Sequence, residues 1–277
     1  MLSVAVPGRT EVEPTTQPAT IVNSYNGGYK DDFPQELVRV QSYVLPVQSD
    51  IATLYGLQYG QGFLHPVTIR FTDGAPAASE NPFYYVQTKG SGDTFSQDLV
   101  VNVEAFAKRR AEPPLKLSED DMRNGFRYAL TKIMLNDLSD GDPDNVWPLW
   151  VQEGLAVYAS GDGDSLVKAV AEKTVKSRAA DLVEDLNDPG PYLTRRAWAG
   201  YYLAIKSIFA TGGAATLQAF VRALTDGKSA ADAVRDSLSQ EWPAFVAVVR
   251  DYSSESFKKF AIDDNDPQLQ PEDLSRP

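Results

Sequence analysis

Apolar positions in the second half of the chain recur three and four residues apart. Met122, Phe126, Leu130, Ile133, Met134 and Leu138 make one continuous stripe, the period of a helix with a single buried face. Ser118, with Asp121 three residues on, is a capping-box signature that starts this helix. The turn-forming string "SDGDPDN" (139–145) ends it. A second helix is expected over 147–160, "WPLWVQEGLAVYAS". Further helical stretches follow at 165–186, 195–213, 214–227 and 229–252, with Gly or Pro separating several of them.

Before residue 117 the pattern is different. The stretch 34–57, "PQELVRVQSYVLPVQSDIATLYGL", has helical spacing that Pro46 should interrupt or displace. Three short runs, "PVTIRFTDG" (66–74), "PFYYVQTKG" (82–90) and "DLVVNVEAF" (98–106), are rich in β-branched and aromatic residues and bounded by Gly, Pro or Asp, which predicts strands. The fold class is therefore α+β. Residues 33–116 form an α+β upper part and 117–262 a helical part. Residues 1–32 read as a polar, partly disordered lead-in, and 263–277 as an acidic disordered tail.

One residue does not fit its surroundings. On a helical wheel Glu153 shares its side with Leu149, Trp150, Ala156, Val157 and Ser160, so a carboxylate points where a core stripe should run. A buried charge needs a partner or a metal.

Composition narrows what that partner could be. The 277 residues contain no cysteine and one histidine, His65, which removes thiolate metal sites, cysteine nucleophiles and any site needing two imidazoles. His65 precedes a strand candidate and reads as a loop or strand-edge histidine. A net charge of -12 repels phosphate backbones and anionic membrane surfaces, so nucleic acid is not an expected partner. No apolar run approaches the roughly 20 residues of a membrane span, and the opening residues lack the features of a signal peptide. Nucleophile elbows, phosphate loops and dinucleotide fingerprints are absent from the sequence.

Smaller features read as structural. "SDGDPDN" and "SGDGDS" (160–165) do not follow the twelve-residue calcium-loop pattern and are taken as helix-ending turns and N-caps. "AKRR" (107–110) with Lys116 is taken as a solvated loop, and Arg195 and Arg196 as the lead into a helix whose Trp198, Tyr201 and Tyr202 pack in the core.

The run Glu153-Gly154-Leu155-Ala156-Val157-Tyr158 after two tryptophans resembles the second zinc helix of the gluzincin metallopeptidases, the peptidase MA-like, thermolysin-type proteins. In that family this Glu is the third zinc ligand, and the first two are the histidines of H-E-x-x-H on the preceding helix. Laid on that motif with Leu130 and Thr131 in register, the histidine positions hold Tyr128 and Lys132 and the general-base position holds Ala129. The resemblance covers about 35–255. It implies a zincin-like fold, a small mixed sheet with covering helices followed by a helical lower subdomain.

The departures imply loss of zinc and of catalysis, hence no cofactor and no catalytic residue, with Tyr128, Ala129, Lys132 and Glu153 at former zinc-site positions. Tyr128 and Lys132 are one turn apart, so the Lys132 ammonium is expected in the volume of the missing ion, paired with Glu153, with the Tyr128 hydroxyl as a further donor. The resemblance further implies a pseudopeptidase that binds or scaffolds an unidentified protein or peptide, Tyr201 and Tyr202 as cleft contacts, and an extracytoplasmic location. Two alternatives stand beside it: an active hydrolase with an atypical metal or carboxylate site, and a structural envelope domain with an unused cleft.

Overall fold

The computed structural model describes residues 16–264 apart from 58, 60–61, 76–81, 112–117, 184 and 187–193. In chain order the elements are β1 (Thr20–Ile21), α1 (Phe33–Tyr55), β2 (Val67–Thr72), β3 (Tyr84–Lys89), β4 (Ser96–Asn102), α2 (Val103–Ala111), α3 (Glu119–Leu138), α4 (Pro143–Val146), α5 (Leu149–Ser160), α6 (Gly163–Ala171), α7 (Arg195–Thr225), α8 (Ala230–Leu238) and α9 (Trp242–Lys258). The fold is mixed α+β, mainly helical, with one small mixed sheet among the described residues.

The sheet runs β1-β2-β4-β3. β1 and β4 flank β2 in parallel, and β3 lies antiparallel on the far side of β4, opposing Tyr84 to Val101 and Val86 to Leu99. Alternation sorts its faces: Val67, Ile69, Phe71, Leu99 and Val101 are buried, while on the opposite face Arg70 and Lys89 meet Asp98 at 2.5 and 2.6 Å. The buried face holds α3. Gln97 Nε2 donates to the Ile133 carbonyl (2.9 Å) and the Tyr84 and Phe126 rings meet edge to face at 5.5 Å. In the stretch read as a lead-in, Thr20 and Ile21 pair with Thr68 and Ile69, whereas residues 1–15 lie outside the described residues, as do 265–277 of the tail.

Five expectations need correction. Pro46 neither interrupts nor displaces α1. It is on the exposed side, while Val40, Tyr43, Val44, Val47, Ile51 and Tyr55 are buried before and after it. One continuous apolar face outweighs the roughly 3 kcal/mol that an interior proline costs. The strand expected to reach Phe106 stops at Asn102, whose side-chain oxygen accepts from the Ala105 N–H (3.2 Å) and starts α2. The stretch 165–186 is not one helix: after α6 the chain turns to pair Val175 with Ile262 and continues as a 3-10 helix over Lys176–Leu182. The stretch 229–252 divides at Ser239, in the left-handed region (φ 55°), before Pro243 opens α9.

The fifth correction concerns the basic cluster. Lys108, Arg109 and Arg110 lie in the last turn of α2, not in a solvated loop. Arg110 pairs with Asp32 (2.6 Å) and with the fully buried Glu36, which also holds Arg39. A buried carboxylate demands such partners. Lys116 lies outside the described residues.

Candidate functional site

The site is a seam between α3 and α5, antiparallel neighbours tied at several levels. Trp147 Nε1 donates to the Leu135 carbonyl (3.2 Å), and Arg127 Nε donates to the Ala159 carbonyl (2.6 Å) while its Nη1 reaches Asp50 (2.9 Å). Between these ties, α5 is buried on nearly every side, with Trp150, Val151, Leu155, Ala156 and Ala159 inaccessible. Glu153 is 1% exposed within that surface.

Both oxygens of Glu153 are engaged. Lys132 Nζ donates to Oε1, and the Tyr128 hydroxyl donates to Oε2 at 2.6 Å. The two donors come from consecutive turns of α3 and converge because residues i and i+4 share a face. The Lys132 side chain is 20% exposed, so its stem crosses from solvent to a carboxylate that has no access to water. Ala129, on the next face of α3, is buried at 2% exposure and brings no functional group. Of the positions singled out in the sequence, Tyr128, Lys132 and Glu153 meet.

A neutral imidazole ligates zinc through a lone pair, whereas a protonated ammonium has none to offer. The donor set at Glu153 therefore does not fit a zinc ion. Chemically, it is a cation–carboxylate–phenol trio in which two donors converge on one carboxylate.

Gly154 has a packing role beside the trio. A Cβ at this position would stand 2.5 Å from the Tyr201 carbonyl oxygen and 2.7 Å from Ile205 Cγ1, so only glycine lets α5 approach α7 this closely. Tyr201 is buried at 1% exposure in the main core. Tyr202, at 6%, sits in the second apolar cluster with Val157, Val167 and Leu203, and its hydroxyl donates to Asp164 (2.9 Å).

Two cavities adjoin the seam. One, about 190 Å³, is lined by Gly125, Tyr128, Val157, Asp162, Leu166 and Trp198, and so borders the trio at Tyr128. The indole N–H of Trp198 is buried without a hydrogen-bond partner. The other, about 490 Å³, includes Arg123, Arg127, Tyr158, Asp164, Tyr202 and Lys206.

Their two carboxylates are tuned in opposite directions. Burial holds Asp162 above the usual aspartate range despite a hydrogen bond from Asn124 (2.7 Å). Burial also acts to raise Asp164, but donation from Lys206 and Tyr202 outweighs it and holds that carboxyl below its ordinary value. The same burial, with the hydrogen bond to Asp164, pushes the Tyr202 phenol far above the usual tyrosine range.

No family model, curated protein or solved structure matches the chain.

Sequence reasoning missed the surroundings of His65. Its Nδ1 lies 3.0 Å from Asp137, a fully buried carboxylate that also accepts from the Tyr59 hydroxyl (2.9 Å) and from the backbone N–H groups of Leu64 and His65 (2.8 Å each). These partners lie more than 70 residues apart in sequence, and Asp137 has no marker beyond being a polar residue near the end of an apolar stripe. The "SDGDPDN" segment places Asp140 and Gly141 at positive φ (51° and 82°) after the α3 C-cap Ser139, and supplies Asp142 as the residue before α4. Asp162 stands at the N-cap of α6, without a side-chain capping bond.

Proposed function

We propose that the protein is a non-catalytic gluzincin-like module that binds or scaffolds a protein or peptide, its former metal position taken by the Lys132 ammonium. The observation that carries this reading is the trio itself. Lys132 and Tyr128 stand one turn apart on one helix and both reach a nearly inaccessible glutamate on the next, the relation that the resemblance assigns to two histidines and a third ligand. A monovalent cation there satisfies Glu153 as a metal would, and offers no open coordination position and no activated water. The small mixed sheet preceding a helical part is consistent with the zincin-like arrangement, and β3 offers an edge strand on which an extended peptide could add main-chain hydrogen bonds. An extracytoplasmic location belongs to the proposal through the resemblance alone.

Two experiments test it. Restoring the ligands in Tyr128→His/Lys132→His should yield a folded protein that keeps about one equivalent of zinc through desalting while the parent keeps none, as three protein ligands in a preformed geometry require. A parent that keeps a full equivalent, or a folded double variant that keeps none, overturns the register. The parent screened against a diverse peptide library should bind without cleavage. Chelator-sensitive cleavage would instead favour the active hydrolase, and neither binding nor cleavage the structural domain.

A further inference from the structure

The two cavities beside the seam share Asn124 and Ser160 in their walls, so they adjoin at the last residue of α5. Their chemistry differs. The smaller is walled mainly by Gly125, Val157, Leu166 and the Trp198 ring. Its volume of about 190 Å³ exceeds the roughly 150 Å³ of an apolar cavity that holds benzene, so it has room for one aromatic or branched apolar side chain.

The larger cavity is charged. Among the described residues Arg123, Arg127 and Lys206 border it against one carboxylate, Asp164, an excess of positive charge on a chain whose net charge is -12. Two of these cations are committed: Lys206 pairs with Asp164, and Arg127 holds Asp50 and the Ala159 carbonyl. Arg123 is not. Its guanidinium carbon lies 5.6 Å from the centre of the Tyr43 ring, and no carboxylate among the described residues is within ion-pair distance of it. An aromatic face steadies a guanidinium without neutralising it, which leaves its planar fork for a carboxylate. Arg123 and Arg127 stand one turn apart on one face of α3, so an anion at the first meets the field of the second.

Adjoining apolar and cationic compartments fit a ligand that carries an apolar group and an anion close together. The last residue of a peptide does so, because its side chain and its carboxylate branch from one α carbon. We propose that the cleft between α3, α5 and α7 binds the free carboxyl terminus of a peptide whose last residue is apolar or aromatic, the side chain in the smaller cavity and the carboxylate on Arg123 beside Arg127. This assignment rests on the reading of the protein as a peptide-binding module and names the end of the peptide that it takes. An internal peptide segment has no backbone charge to set against Arg123, and an amidated terminus has none either.

An N-acetylated pentapeptide ending in phenylalanine is titrated into the protein by isothermal calorimetry at neutral pH and low salt. Beside it are titrated the same peptide as its carboxyl-terminal amide, a version ending in lysine, and N-acetylphenylalanine alone. The expected result is saturable one-to-one binding of the first, with the other three weaker by about tenfold or more. In Arg123→Gln, an exposed position, acid and amide should bind alike. Leu166→Trp, which fills the smaller cavity, should remove the advantage of phenylalanine over lysine. No saturable binding, equal binding of acid and amide by the parent, or a preference for the acid retained in Arg123→Gln overturns the assignment. N-acetylphenylalanine binding as tightly as the pentapeptide also overturns it, in favour of a small apolar anion. Failure here is distinguishable from failure of the module reading: library peptides bound irrespective of their last residue keep that reading and remove only this site.

Discussion

Replacing Lys132 by alanine tests the site most directly, because it removes the charged partner that a carboxylate of 1% exposure has among the described residues. At hydrogen-bonding separation and an effective dielectric of about 20, the pair attracts by roughly 5 kcal/mol before desolvation is counted. Removing one member of such a pair costs about 3–5 kcal/mol. Glu153 would keep the Tyr128 hydroxyl at 2.6 Å, and the 20% exposure of Lys132 gives water a path to the vacated position, so the lower end, about 3 kcal/mol, is expected. Against a total stability of about 5–15 kcal/mol this is large. Glu153→Ala should cost less in charge terms, since the orphaned ammonium is the member that can turn to solvent. The double variant Lys132→Ala/Glu153→Ala should therefore lose about 1–2 kcal/mol less than the sum of the single losses. Urea unfolding at neutral pH, followed through the buried Trp147 and Trp150, measures all four proteins. A Lys132→Ala loss within about 0.5 kcal/mol of a surface substitution, or strict additivity in the double variant, would refute the pairing.

Gly154→Ala should destabilise by about 2 kcal/mol despite the better helix propensity of alanine, because the new methyl meets a backbone carbonyl that cannot rotate aside; a thermal midpoint equal to the parent's would contradict the close approach of α5 and α7. Asp164→Asn and Asp162→Asn should respond to pH with opposite signs. The depressed Asp164 contributes stability above its ordinary value of 3.8 that is lost as pH falls through its lower folded value, so its variant is the weaker protein at neutral pH and the gap closes in acid. The raised Asp162 imposes a penalty above its folded value that protonation relieves, so its variant is at least as stable as the parent at neutral pH and converges with it below about pH 4. Unfolding curves across that range that shift both variants in the same direction would contradict the assignment.

How far the sequence announced this arrangement depends on the range of the interaction involved. The α3 stripe and its Ser118 cap were legible because a helix with one buried face writes its period into consecutive residues, and the cap bond to Asp121 spans three positions. The misreadings lie where a distant partner decides. The apolar spacing on both sides of Pro46 is local, but nothing near it says that both halves pack as one face, and nothing near Val175 says that Ile262 returns to pair with it. The trio is intermediate. That Glu153 needs a partner followed from its apolar neighbours, but that the partner is Lys132 depended on setting the register of one helix against the next from Leu130 and Thr131. His65 is the opposite case: its partners are 72 residues away and enter from the end of a helix that looks complete without them. A buried charge advertises its need locally, whereas the group that meets the need is found only by packing. That asymmetry is why Glu153 could be singled out from one short string and Asp137 could not.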